Sequence, residues 1–371
     1  MAVPAPNLPV DEAVGDLEVV ARFVGAMPTG VTVSKEGRIF VCFPKWGDPV
    51  VYTVGELHAG SPVAFPNEEW NRDPTDDEST TLVSVQSVVV DPADRLWIVD
   101  TGSPMFRETR FGGPKLVCVN LATDEVEKTI LFPEDVALPT SYLNDIRFDL
   151  RRGEDGVGFI TDSSQNGPNG IIAVDLATGE SIRRLDDHPT TQPEPLEEFL
   201  PMVEGRPVVR YLDDGSMEPV IRMGSDGIAI SADGDRLYYS PLASRRLYSV
   251  STDALLDVGF GDLEVGATIS DEGDRGGASD GLESDATGHL YSTNYEHDAI
   301  LRRSPDGAWE TLVHDPRLLW PDTMSVAEDG YLYVTANQLH RQPSFHDGQD
   351  LRRKPYALLR VRIGEEPVKL I

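Results

Sequence analysis

One line of sequence recurs along the whole chain: a polar residue, a strand-like run, a Gly or Asp turn, then a second run rich in aromatics. It is clearest from Asp322, as DTMSVAEDGYLYVT, and starts again at Thr29, Gln86, Asn144, Asp226 and Asp280. In five copies the turn residue stands eight positions after the leading residue, at Gly37, Asp94, Gly234, Gly288 and Gly330. The copy at Asn144 is stretched, with Gly156 as its turn. Self-similar units of about 40–50 residues, each too small to bury its own apolar face, are the signature of propeller blades. The copies are unequally spaced, which predicts long and uneven loops. The expectation is therefore an all-β fold, a six-bladed β-propeller of four-stranded blades around a central channel.

The repeat runs nearly end to end in 371 residues, so a single domain is expected over 17–371 after a lead-in at 1–16. The run LEVVARFV at 17–24 is expected to pair with YALLRVRI at 356–363 as the outer strand of the last blade, closing the ring without a free edge. The blades are expected at 29–66 (with PVVYTV as a strand), 86–132, 144–185, 226–258, 280–314 and 322–363. The irregular, Pro-rich stretch 186–222 carries Phe199, Leu200, Met202, Val208 and Tyr211. It is either a cover over one face or an exposed insertion; the apolar residues favour the cover. The loop at 338–354 is a second candidate lid.

Net charge is −31, which argues against nucleic acid, whose phosphates need clustered Lys and Arg, and against anionic membrane surfaces. Only six of the 32 basic residues are Lys, the profile of an acidic, highly soluble surface. Cys42 and Cys118 sit inside strand-like runs without metal-site spacing and read as buried free thiols. No basic, apolar leader is visible and no apolar run reaches membrane-spanning length. The expected setting is the cytoplasm, or else the chain is a mature form whose leader was removed, and the expected partner is a small molecule.

A polar residue just before an inner strand stands at one mouth of the channel. Six copies make a ring of Thr29, Gln86, Asn144, Asp226, Asp280 and Asp322. Converging hard oxygens suit Ca²⁺, which takes about six to eight of them, and clustered carboxylates repel one another unless a cation or proton intervenes. Asn144, Asp226 and Asp280 are the candidate metal ligands, and Asp280 and Asp322 the candidate catalytic bases. Thr29, Gln86, Asp145, Trp320, Asp322 and His340 are the candidate channel residues. Asp and Asn before a strand also cap turns, so folding alone accounts for any one of them. GASDG at 277–281 matches the nucleophile elbow of Ser hydrolases, but it opens a strand instead of a helix and reads as accidental.

LWIVDTG (96–102), SYLNDIRFD (141–149), FITDSS (159–164), SDGIAISADGDRLYYSPLAS (225–244), GGASDGLESDATGHLY (276–291) and NQLHRQPSFHDGQDLR (337–352) resemble the yellow/major royal jelly protein family, in its dopachrome tautomerase-related prokaryotic branch. That resemblance implies a six-bladed propeller, with dopachrome conversion or small-amine binding among the family's activities. A more distant similarity is to gluconolactonase-like propellers. By position their metal-binding Glu falls on Thr29, their Asn on Asp226 and their Asp on Asp280, with a substrate-facing Asn on Asn144 followed by Asp145. The first ligand is thus absent and the second has become Asp. Two functions are carried forward: a divalent-metal enzyme acting at a carbonyl, by lactone or ester hydrolysis or by tautomerisation, and a non-catalytic binder of a cationic or aromatic metabolite.

Overall fold

The computed structural model describes residues 11–74, 76–212, 214 and 216–371. The first ten residues of the expected lead-in lie outside them, as does the Tyr211 side chain. Six four-stranded antiparallel sheets form a closed ring. Blade 1 comprises Val31–Val33, Ile39–Cys42, Val54–His58 and Ser61–Ala64; blade 2 comprises Val85–Val90, Arg95–Asp100, Lys115–Asn120 and Glu125–Leu131. Blade 3 comprises Leu143–Asp149, Val157–Asp162, Gly170–Asp175 and Ser181–Arg184; blade 4 comprises Ser225–Ile230, Arg236–Pro241, Arg246–Ser251 and Ser270–Asp274. Blade 5 comprises Leu282–Ser284, Leu290–Asn294, Ala299–Arg303 and Trp309–His314. Blade 6 takes Pro321–Val326, Tyr331–Ala336 and Tyr356–Arg362 from the end of the chain and Leu17–Phe23 from its start. Leu17 pairs with Val361 and Phe23 with Tyr356, so the expected closure is present.

All six turn residues, Gly37, Asp94, Gly156, Gly234, Gly288 and Gly330, have positive φ, the conformation that tight hairpins demand and that Gly and Asp tolerate. Apolar clusters fill the space between blades, such as Trp97, Leu143, Ile146 and Ile160 between blades 2 and 3.

Two strands depart from expectation. The third strand of blade 1 is Val54–His58, displaced from PVVYTV. Blade 4 does not end near 258: two short helices, Thr252–Leu256 and Asp262–Gly266, intervene before its outer strand Ser270–Asp274. That strand reads SDEGD, without a single apolar residue, so hydrophobic alternation could not reveal it.

Part of the 186–222 stretch is packed into the apolar core. Phe199, Val203, Val208 and Ile221 are buried in one cluster with Trp320, Leu242 and Leu339, whereas Met202 is exposed. Its two small hairpins pair Met202–Val203 with Arg206–Pro207 and Val209–Tyr211 with Met217–Pro219.

Candidate functional site

The repeat places its leading residue at the start of each inner strand, and pairing irregularities turn it inward. The register between first and second strands shifts between Val85 and Ser87, Leu143 and Ile146, Ser225 and Gly227, and Pro321 and Met324. Each shift spans the ring position: Gln86, Asn144 with Asp145, Asp226, and Asp322 with Thr323. A bulge lifts a residue out of the pleat and re-aims its side chain.

Four of the expected residues gather on one side of the channel. Asn144 Nδ2 donates to Asp226 Oδ1 at 2.7 Å, and Ser163 Oγ lies 2.9 Å from Asp226 Oδ2. The Asp280 carboxyl stands near Asp226, and burial with that neighbour's charge disfavours its ionisation, so the buried pair is accommodated most easily with one member protonated. Trp320 Nε1 donates to Asp280 Oδ2 at 2.6 Å. Asn337 Nδ2 donates to Asp322 Oδ2 at 2.6 Å. Burial is the main cause that pushes Asp226 up to about 8. Burial and then the charge of Asp226 push Asp280 well above the usual carboxylate range, and burial with the charge of Asp280 does the same to Asp322.

The remaining ring positions are occupied otherwise. Thr29 is buried, and its hydroxyl donates to the Gln86 carbonyl at 2.9 Å, joining blades 1 and 2 instead of facing a ligand. The Gln86 side chain accepts from Tyr142 OH at 2.9 Å, and that hydroxyl accepts from Trp46 Nε1 at 2.9 Å. Asp145 turns away from Asn144: it accepts from Ser87 Oγ at 2.5 Å and Arg147 Nη1 at 2.7 Å. Arg147 also donates to the Leu282 carbonyl at 2.8 Å and stands 3.3 Å from Glu283, whose carboxyl burial pushes up to about 7. Arg147 and Glu283 line a cavity of about 370 Å³ shared with the inner-strand residues Thr32, Val89, Ile230 and Ser325. His340 does not reach the carboxylates; it stacks on Trp320 with ring centroids 5.8 Å apart.

Among the described residues no group of three or more His, Cys, Asp or Glu side chains is arranged to hold a metal ion. Two carboxylates, Asp226 and Asp280, do meet beside Asn144, whose amide nitrogen is engaged by Asp226. An all-oxygen donor set with paired carboxylates in want of a positive charge fits a hard divalent cation that keeps several waters.

A vestibule of about 580 Å³ lies between the 186–222 stretch and the 338–354 loop. Trp46, Phe106, Ile221, Met223, Leu242 and Phe345 line it, and Trp46, Phe106 and Tyr142 form a continuous stack with centroid spacings of 5.4 and 4.8 Å. Its charged lining residues are Arg210, Arg222 and Arg352, without an acid among them. Phe345 packs edge-on against Trp320 at 6.4 Å, so the vestibule adjoins the Trp320–Asp280 bond. Ser163, Asn337, Tyr142 and Trp46 were not anticipated as site residues. Ser163, Asn337 and Tyr142 lie in the stretches FITDSS, NQLHRQ and SYLNDI, and no local pattern distinguishes their role from structural capping.

Comparison with known proteins fits this architecture. The family profile described as Major royal jelly protein matches residues 83–362. Protein yellow of Drosophila erecta is 27% identical over 249 residues, covering 62% of this chain and 42% of that protein. The chain thus spans about two fifths of the length of the curated relatives it matches. Regucalcin from Agrobacterium tumefaciens, a calcium-binding protein, superposes with a TM-score of 0.56 at 15% identity, over 95% of this chain and 98% of that one. A gluconolactonase from Xanthomonas campestris superposes with a TM-score of 0.54 at 13% identity, over 96% and 99%. At these identities the two structures share the six-bladed architecture, while the profile match spans most of the sequence: the chain belongs to the major royal jelly protein family.

Proposed function

We propose that the ring is an acid–base site for small carbonyl compounds, acting by lactone or ester hydrolysis or by tautomerisation next to the carbonyl. The observation that carries this reading is the cluster of buried carboxyls Asp226, Asp280 and Asp322, with Asn144 donating to Asp226 and Trp320 to Asp280. Two carboxyls sharing one proton present an acid and a base in one place. In tautomerisation the ionised partner takes the proton from the carbon beside the carbonyl, and the protonated partner gives its proton to the carbonyl oxygen. In lactone hydrolysis the ionised partner takes a proton from water as the water oxygen bonds the carbonyl carbon. The protonated partner then gives its proton to the ring oxygen as that C–O bond breaks. A carboxyl raised to about 8 is matched to proton transfer near neutral pH. Asn144 and Trp320 orient the two carboxyls, and Asp322 stands near as a second base.

A divalent cation, Ca²⁺ first, suits Asp226, Asp280 and Asn144 in place of the shared proton, and when bound would supply Lewis-acid polarisation of the carbonyl in place of the protonated partner, leaving Asp322 as the base. The calcium-binding regucalcin and the gluconolactonase that share this fold are in keeping with that assignment. The vestibule favours an aromatic or apolar body; its arginines are already paired, Arg210 and Arg222 with Glu218 and Arg352 with Asp48 and Asp350. The aromatic stack also supports a second reading, a binding module without chemistry, because stacking and capture need no proton transfer.

Cation ligands must be deprotonated. Adding Ca²⁺ to weakly buffered protein at about pH 7 should therefore release about one proton per chain and raise the melting temperature. Asp280→Ala should remove both effects. Absence of proton release and of any stabilisation in the wild type would take the cation out of the reading. A panel of aromatic lactones, esters and enolisable keto acids separates the two functions. Saturable binding that quenches Trp46 fluorescence, with no turnover of any member, would leave only the binding module.

A further inference from the structure

Trp320 has φ of +56°, a backbone region that bulky L-residues avoid, and it persists only where surrounding structure over-determines it. Two rings do this. Tyr295 stacks on the indole with centroids 4.1 Å apart and planes 8° apart, and His340 stacks on it at 5.8 Å and 20°. Tyr295 is anchored by its hydroxyl to the Leu242 carbonyl at 2.8 Å. His340 is buried, its Nδ1 has no partner, and its Nε2 is 2.8 Å from Glu204 Oε2. Glu204 belongs to the 186–222 stretch, at the turn between Met202–Val203 and Arg206–Pro207. Its carboxylate is also gripped by Arg341, whose Nε donates at 2.9 Å and whose Nη2 makes a second contact. A continuous line of contacts thus runs from that stretch to the ring: Glu204 to His340, His340 to Trp320, Trp320 Nε1 to Asp280.

An indole N–H can only donate. Asp280 Oδ2 is therefore held as an acceptor, and the bond fixes the direction in which the carboxyl presents its other oxygen. We propose that Glu204 is a positioning residue for the acid–base pair, acting through His340 and Trp320 to hold Asp280 in the orientation that faces Asp226. The 186–222 stretch then has a part in the chemistry as well as in lining the vestibule. This rests on the acid–base reading of the ring, but the geometry can be tested without it.

The test follows the Trp320 indole N–H by ¹⁵N NMR in the full chain, with the signal assigned through Trp320→Phe. A short bond to a carboxyl places this resonance downfield and protects it from exchange. Glu204→Ala is expected to shift it upfield and speed its exchange at least about tenfold, while the other indole signals stay in place. Glu204→Gln, which keeps one acceptor oxygen for His340, should restore most of the protection. His340→Phe, which keeps a stacked ring without the link to Glu204, should shift the signal in the same direction as Glu204→Ala, and adding Glu204→Ala to it should change nothing further. An unchanged Trp320 resonance and exchange rate in Glu204→Ala would overturn the proposal. So would a shift of all five indole signals together, since that reports general loosening. Failure of Ca²⁺-linked proton release or of turnover bears on the acid–base reading and leaves this outcome untouched.

Discussion

Asp280→Asn is expected to raise the melting temperature of chelator-treated protein at about pH 8 while abolishing turnover and Ca²⁺-linked proton release. Asp226, Asp280 and Asp322 are all buried, and each is pushed upward, first by burial and then in part by the charge of another. A carboxyl whose folded pKa lies above its unfolded value binds its proton more tightly in the folded state. Its contribution to stability is fully present below about pH 4, the unfolded value, and is lost as pH rises through the folded value, about 8 for Asp226. Wild-type melting temperature without divalent cations should therefore fall as pH rises from about 5 to about 8. Asparagine removes one of the repelling charges. Its carbonyl still accepts from Trp320 Nε1, and its amide N–H donates to Asp226 in place of the shared proton. Each 1 kcal/mol recovered is worth about 2 °C in a large domain, so a gain of several degrees is expected at about pH 8 and little at about pH 5. Calorimetry of both proteins across this range decides it. A wild-type melting temperature that is flat with pH, or an Asn variant less stable than wild type at pH 8, would show that the carboxylates do not share a costly proton.

Lys115→Met is expected to destabilise the fold by about 3 kcal/mol without touching the ring. Lys115 and Asp100 are both fully buried, with Nζ 2.7 Å from Asp100 Oδ2 and 3.0 Å from the Gly113 carbonyl. Asp100 also accepts from the backbone N–H groups of Val83 at 2.7 Å, Ser84 at 2.9 Å and Gly102 at 3.0 Å. The pair ties the end of one strand to the loop that enters the inner strand of blade 2. Removing one partner of a buried ion pair strands the other charge, which costs about 3–5 kcal/mol. The surviving backbone donors to Asp100 place this change at the lower end. Chemical denaturation measures it as a lower midpoint at unchanged slope; a midpoint within error of wild type would show that Asp100 is satisfied by the backbone alone. Blade 3 repeats the device, with Asp162 accepting from Tyr142 N at 2.7 Å and Arg183 Nη1 at 2.6 Å. The stretches LWIVDTG and FITDSS, which resemble the family most directly, thus carry structural staples, although FITDSS also supplies Ser163 to the site.

The blades were legible because their signals are local. Turn residues such as Gly37 and Gly330 act on their own backbone, and alternation in runs such as RLYYS or YLYVT reports the face that each strand buries. Where the local signal failed, the reason is visible: Ser270–Asp274 is a strand by pairing alone. The ring was legible as a set of positions but not as a set of roles. Asn144 and Asp145 are adjacent, yet one faces Asp226 and the other turns to Arg147. The shift between Leu143 and Ile146 sorts them. Thr29 occupies an equivalent repeat position but spends its hydroxyl on a neighbouring carbonyl.

The sequence by itself determined the six-bladed architecture, its closure by both ends of the chain, and a polar ring weighted towards Asp, because each depends on periodicity and turn chemistry within a few residues. Only the tertiary structure decided that Asp226 and Asp280 are neighbours beside Asn144, that Trp320 donates to Asp280, and that Glu204 reaches His340 across 136 positions. Those contacts join residues far apart along the chain. They arise from bulged inner strands converging on one axis and an insertion folding back against the core, neither of which leaves a period in the sequence.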